Sequence, residues 1–253
     1  MKVLLTCLLA AATVAVQRPH DVLAGTEGDL IITPIAHATV HIASNSKVIL
    51  VDPTNYGGWD GPHQGGVVPQ INYGGLKPPT LILVTDIHGD HFDPDAIAKL
   101  KTPTTRVVVP NIPGWQYPAG VTMLANGRSL AFDGVTVEAI AMYNLVRGPK
   151  PGSVFHAKGR GNGYVVTLGG KRLYFSGDTE CTPEMKALKS IDVAFIAMNL
   201  PYTATPTEAA GCVAAFKPQV AYPYHYKGQD AKVFEAELAG KGVEVRLRDW
   251  YAP

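Results

Sequence analysis

The chain has 253 residues, 46% of them hydrophobic, and a formal net charge of +1. That length and apolar content suffice for one large buried core and exclude an intrinsically disordered chain. The near-neutral balance argues against a protein that coats nucleic acid or anionic membrane, since either favours a strongly basic surface.

Met1-Lys2, an apolar run over 3–16 and the polar Gln17-Arg18-Pro19-His20 have the layout of a secretory signal peptide, with small residues at Thr13 and Ala15 suited to cleavage. The run is shorter than the roughly 20 apolar residues that span a bilayer, and no other segment is a candidate span. The expectation is an exported protein, periplasmic or secreted, with 1–17 as leader and 18–253 as a single domain. Cys181 and Cys212 then remain. Lacking a neighbouring Cys or His at zinc-finger spacing, they read as small buried side chains, a single bridge being the alternative.

Apolar runs bounded by turn residues predict strands at 48–51, 81–84, 106–109, 135–141, 164–168, 173–175, 193–197, 220–222 and 243–247. Gly169-Gly170 signals a tight hairpin between two of them, because glycine tolerates the positive backbone angles such turns require. Helix starts are marked by a capping residue followed by proline, at Asp93-Pro94-Asp95, Thr182-Pro183-Glu184 and Thr205-Pro206-Thr207-Glu208. The last is also a capping box. Early strands followed by interleaved helices point to an α/β protein whose helices cover sheet faces. The stretch 55–79 is dense in Gly and Pro, with Tyr56, Trp59, His63 and Tyr73 scattered through it. It predicts a long loop, either a functional lid or a surface insertion without chemistry.

Directly after the run 81–84 stands Thr85-Asp86-Ile87-His88-Gly89-Asp90-His91, four potential metal ligands within six residues. Charged and imidazole groups this close at the end of a buried strand need paired charges, hydrogen bonds or a metal to offset their desolvation. Gly89 is expected to let the backbone turn sharply, so that side chains on both sides of it converge. Carboxylates with imidazoles suit zinc first, with manganese or iron as alternatives.

Here the sequence resembles the metallo-β-lactamase superfamily, whose H-x-H-x-D-H signature stands in this chain as D-x-H-x-D-H. Ile35-Ala36-His37-Ala38-Thr39 with Val48-Ile49-Leu50-Val51-Asp52-Pro53 is similar to the family's opening hairpin. Phe175-Ser176-Gly177-Asp178-Thr179 is similar to its bridging-aspartate motif, and Tyr222-Pro223-Tyr224-His225-Tyr226 to its last ligand motif. Order and spacing agree from about residue 30 onward, most closely with the branch of the ascorbate-6-phosphate lactonase.

The resemblance implies a four-layered αββα sandwich and a metal-dependent hydrolase holding one or two divalent ions. It makes Asp90, His91 and His225 the ligands of one metal, with Asp178 bridging to a second. That second site has Asp86 in the first histidine's place, then His88. The strand at 135–141 ends in Met142-Tyr143-Asn144 without a histidine, so His156 is the expected third ligand and Asn144 the alternative. Asp90 is also the expected catalytic group, orienting or deprotonating the attacking water. His37 is expected to orient a ligand carboxylate or the Asp52 side chain, with a core role as the other reading.

The expected reaction is hydrolysis of a small ester-like substrate, a lactone by resemblance. The alternatives are phosphodiester or β-lactam hydrolysis, or a non-catalytic metal- or ligand-binding module. Lys158 and Arg160, flanking His156 in a glycine-rich turn, are candidates to hold an anionic group. Asn144, Asn199 and Tyr202 are candidates for substrate contact on the same rim. The partner expected is a small molecule, not nucleic acid.

Overall fold

The computed structural model describes residues 18–56 and 70–251. The leader expected at 1–17, and Trp59 and His63 of the expected loop, lie outside the described residues. Among the described residues, two seven-stranded sheets each follow chain order. The first runs β1 (Asp21–Leu23), β2 (Leu30–Ala36), β3 (Thr39–Ser44), β4 (Lys47–Val51), β5 (Leu81–Leu83), β6 (Arg106–Pro110) and β7 (Val121–Leu124). The second comprises β8 (Ser129–Phe132), β9 (Val135–Met142), β10 (Gly161–Leu168), β11 (Lys171–Phe175), β12 (Val193–Ala197), β13 (Val220–Tyr224) and β14 (Glu244–Val245). Each sheet begins antiparallel and becomes parallel, from β4 onward in the first and from β11 onward in the second.

Alternation decides which faces meet. Along β9, Val135, Val137 and Ala139 are buried while Thr136, Glu138 and Ile140 are half-buried, the period of a strand with one face on a core. The inward faces of both sheets form the central apolar layer, from Leu30, Ile42, Val51 and Leu83 to Val166, Phe175, Phe195 and Trp250. Parallel register places Phe175, Phe195 and Tyr222 side by side on β11, β12 and β13. Their rings stack with centroids 4.8 and 5.0 Å apart, within the offset-stacking range.

The outer faces are covered by helices. α1 (Pro94–Leu100) lays Ile97 on Leu50, Ile82 and Val107 of the first sheet. α2 (Pro183–Lys186), α3 (Pro206–Phe216) and α4 (Ala231–Leu238) pack Met185, Val213, Phe216 and Phe234 against Val165, Tyr174 and Ile196 of the second. The layering is the expected αββα sandwich. All three expected helix starts form as read: Asp93 accepts from the amides of Asp95 and Ala96, Thr182 from Met185, and Thr205 and Glu208 close a capping box. None of these helices is long and apolar enough to cross a membrane.

Three features differ from expectation. The strand expected at 243–247 is reduced to β14: the Arg246 amide still donates to the Ala221 carbonyl at 2.9 Å, but β13 pairs in register only at Glu244 and Val245. α4 is capped by Asp230 without a following proline and so carried a weaker start signal. Cys181 and Cys212 are bridged rather than separate buried thiols, with Cα atoms 5.5 Å apart. The turn after β11 passes beneath α3, where Cys212 is buried, and the separation lies within normal disulfide reach.

Candidate metal centre

β4, β5, β11, β12 and β13 deliver their following residues to one rim, where ligand-type side chains gather in two adjoining clusters. In the first, Asp90, His91, Asp178 and His225 place ligand atoms all within 4.8 Å of one another. Asp178 Oδ1 lies 3.3 Å from His91 Nε2 and 3.2 Å from His225 Nε2, and Asp90 Oδ2 is 3.4 Å from His225 Nε2. His91 Nε2 and Asp178 Oδ1 are buried without a hydrogen-bond partner among the described residues. Native interiors seldom leave such atoms unpaired, and nitrogen and oxygen lone pairs converging on one point are what a divalent cation requires. The residues therefore fit a metal.

The backbone is bent to achieve this. His37, Asp52 and His225 all adopt left-handed φ angles, 49°, 44° and 47°, each costing of order 1–3 kcal/mol for a residue with a side chain. Gly177, with φ of 60°, precedes Asp178; a Cβ there would stand 2.5 Å from Met142 Sδ, so only glycine lets this turn pass. Gly89 does not have the expected role. Its φ is outside the left-handed range and a Cβ would meet nothing within 4 Å. It borders the cavity instead, where a side chain would project into open space.

Asp52 sets the state of His91. Its Oδ1 accepts from the Thr85 amide at 2.7 Å; its Oδ2 accepts from the Thr85 hydroxyl at 2.6 Å and from His91 Nδ1 at 2.8 Å. Asp52 keeps a ring proton on Nδ1, so that a metal displacing the other proton would meet the Nε2 lone pair facing the cluster. Burial alone would depress the His91 pKa, but Asp178, Asp90 and Asp52 together hold it well above the usual imidazole range. Burial likewise opposes ionisation of Asp178, and His225, His91 and His156 outweigh it, holding that carboxyl far below its usual value. His37 contacts Asp90 rather than Asp52, with Nε2 3.2 Å from Asp90 Oδ2 and Nδ1 2.9 Å from the Tyr251 hydroxyl. Burial, and next the adjacent His225, push its pKa down to about 4, so a neutral ring donates to Asp90. Tyr251 fixes that tautomer, and its distance in sequence gave no signal of the role.

The second cluster comprises Asp86, His88 and His156. Asp86 Oδ2 is 2.7 Å from His88 Nδ1 and 3.7 Å from His156 Nε2. Asp178 spans the two clusters: its Oδ2 lies 3.5 Å from His156 Nε2 while Oδ1 faces the first. Asn144 is spent on His156, its Oδ1 accepting from both the His156 amide and Nδ1 at 2.8 Å and its Nδ2 donating to the Tyr202 carbonyl at 2.7 Å. It thereby does for His156 what Asp52 does for His91, and does not contact the cavity as expected. Glu180, which the sequence reading missed, folds the turn that carries Asn144: its carboxylate accepts from the amides of Leu145, Val146 and Arg147 at 3.0, 3.1 and 2.7 Å.

Residues 31–225 match the family described as the beta-lactamase superfamily domain. The chain belongs to that superfamily. It is 33% identical over 188 residues to a UPF0173 metal-dependent hydrolase of Symbiobacterium thermophilum, covering 65% of this chain and 76% of the relative. A UPF0173 metal-dependent hydrolase of Deinococcus radiodurans is 27% identical over 86% of this chain and 96% of its own length. Among solved structures, a Parabacteroides distasonis protein bearing the name of a metal-dependent hydrolase superposes with a TM-score of 0.78 at 31% identity, covering 92% of this chain and 99% of that one.

In this superfamily member a cavity of about 490 Å³ opens over both clusters, with His88, Asp90, His156 and Asp178 at its base and Tyr56, Phe155 and Tyr202 among its walls. Phe155 and Tyr202 meet edge to face, centroids 5.1 Å apart. The remaining expected contacts lie elsewhere. Lys158 is exposed, paired with Glu184 and set over the Tyr143 ring. Arg160 turns inward, its Nε 3.1 Å from Asp86 Oδ1. Asn199 is buried in a turn, its amide and carbonyl both bonded to the Thr203 hydroxyl.

Proposed function

We propose that this protein is a metal-dependent hydrolase of small, uncharged ester-like molecules, with a lactone as the favoured class, and that zinc is the metal it uses. The observation that carries the reading is Asp178, whose two oxygens face two imidazole-and-carboxylate clusters beneath one accessible cavity. Asp90, His91, Asp178 and His225 would hold one ion; Asp86, His88 and His156, with Asp178, a second. A metal held there supplies Lewis-acid polarisation of a carbonyl and lowers the pKa of a bound water toward neutrality.

The chain's own groups supply the rest. Asp90 borders the cavity, and its Oδ2 is held by His37. Burial raises its pKa, but His91, His225 and His37 outweigh this and keep it well below the usual carboxylate range. A base so weak is poorly matched to proton abstraction near neutral pH, so Asp90 serves to orient the attacking water. Tyr56, Phe155 and Tyr202 offer aromatic surface to the substrate body. Neither Lys nor Arg lines the cavity among the described residues. That favours an ester or lactone over a phosphodiester, whose charge calls for cationic partners. The leader layout of 1–17 and the Cys181–Cys212 bridge support export to an oxidising compartment.

The test pairs metal analysis with a panel of lactones, aryl esters, phosphodiesters and β-lactams. We expect lactone or ester turnover that a chelator abolishes and zinc restores, with Tyr202→Ala raising KM more than it lowers kcat. A metal-loaded protein that turns over no member of the panel would overturn the hydrolase reading in favour of a binding module.

A further inference from the structure

We propose that Arg160 is a resident cation of the second cluster, so that the two clusters take up metal in sequence: Asp90–His91–Asp178–His225 first, and Asp86–His88–His156 only in competition with the guanidinium. The inference rests on the reading that both clusters bind metal.

Three contacts carry it. Asp86 is fully buried, and a buried carboxylate needs a compensating charge. Arg160 provides one, its Nε donating to Asp86 Oδ1 at 3.1 Å, the oxygen opposite the one that faces His88 and His156. The same guanidinium lies 2.5 Å from His88 Nε2 through one terminal nitrogen, and 3.5 Å from the Phe155 carbonyl, next to His156, through the other. Arg160 therefore touches both segments that carry this cluster. In the first cluster the carboxylates of Asp90 and Asp178 are paired with histidines instead.

The contact with His88 bears directly on metal uptake. If Nε2 accepts from Arg160, the ring proton sits on Nδ1, the nitrogen 2.7 Å from Asp86 Oδ2. That proton must leave before Nδ1 can bind a metal, and the Arg160 contact must be given up with it. Asp86 is also the residue that departs from the family's signature histidine. The exchange adds a negative charge to the cluster, and Arg160 returns the balance to neutral without a metal.

Removing Arg160 has two opposing consequences for metal binding. Losing an orienting partner of a ligand costs about 10- to 100-fold in affinity. Against that, a guanidinium bonded to one oxygen of Asp86 would repel a divalent ion held at the other, an effect of about a thousandfold or more at an effective dielectric of about 20 before solvent screening. The Arg160 side chain is 25% exposed, so screening is partial and the charge effect remains the larger.

The test titrates zinc into chelator-treated protein by calorimetry, with Arg160→Gln keeping a neutral donor and Arg160→Lys keeping the charge. In the unmodified chain we expect two binding events at least about 100-fold apart in affinity. R160Q should strengthen the weaker event at least about tenfold while leaving the tighter one, which reports an intact fold, unchanged. R160K should preserve the gap. Two equal events in the unmodified chain, or an R160Q whose second event is unchanged or weaker, overturn the proposal. Absence of any tight event in the unmodified chain overturns the metal-centre reading itself.

Discussion

Replacing Asp52 by asparagine separates metal affinity from stability. Asp52 is fully buried, and burial pushes its pKa up against the pull of His91 and Thr85, so as an anion it carries a desolvation cost that an amide does not. Its Oδ1 is claimed by the buried Thr85 amide at 2.7 Å, a donor that needs an acceptor, so the asparagine oxygen takes that place. The amide NH2 then falls where Oδ2 now accepts from the Thr85 hydroxyl and from His91 Nδ1. The hydroxyl can turn to accept; His91 must shift its proton to Nε2, the nitrogen that faces Asp178 at 3.3 Å. Loss of such a partner lowers metal affinity about 10- to 100-fold, and with the wrong tautomer we expect the upper end, about 2.7 kcal/mol. In the metal-free protein the relief of a desolvated anion opposes the loss of a partner for His91, and with Asp178 and Asp90 still beside that ring the melting temperature should stay within about 3 °C, roughly 1 kcal/mol for a domain of this size. Metal titration and thermal melts of apo Asp52→Asn read the two quantities separately. Unchanged metal affinity would refute the assignment of His91 Nε2 as a ligand atom set by Asp52.

Two further predictions concern stability. The Cys181–Cys212 bridge spans 31 residues, and the chain-entropy relation gives about 3.7 kcal/mol for a loop of that length. Cys181→Ser/Cys212→Ser, or the reduced protein, should melt about 7–15 °C lower; an unchanged melt would mean the bridge does not form in solution. Asp21, at the first strand, pairs with Arg248 and Tyr222. Burial raises its pKa, but these partners bring it below 3.8, so its contribution is present above that value and lost as pH falls through the folded one. Denaturant unfolding of Asp21→Asn should show a flatter acid limb than the unmodified protein, with equal slopes counting against the pairing.

Much of the centre was legible because ligand chemistry coincided with strand ends. Asp86 to His91 follow β5, Asp178 follows β11 and His225 follows β13, each after an apolar run whose length and composition announce a buried strand. His156 was harder to read. It lies 12 residues from Asn144, and only the folded loop reveals that the amide serves the imidazole instead of replacing it. Arg160 read as a substrate contact because a glycine-rich turn does not disclose which way its side chain points; the buried charge of Asp86, 74 residues away, decides that. Tyr251 and Glu180 escaped for the same reason, since each acts through contacts distant in sequence. At the level of the fold, β1, β7 and β8 are short and largely half-exposed, which leaves little hydrophobic pattern to detect. Gly169-Gly170 forms the expected hairpin between β10 and β11, whereas Gly177, which carried no signal in the sequence, and not Gly89, sits where a side chain cannot.

The two sheets are consecutive halves of the chain, divided at the turn 125–128 between β7 and β8. Asp86, His88, Asp90 and His91 belong to the first half, and His156, Asp178 and His225 to the second, so neither half owns a complete cluster. Ligand binding that exists only in the joined state adds its free energy to the joining. A chain cut in that turn keeps every ladder of both sheets whole, and its fragments become a pair whose affinity for each other rises with free metal concentration: a split protein for which the ion is the glue.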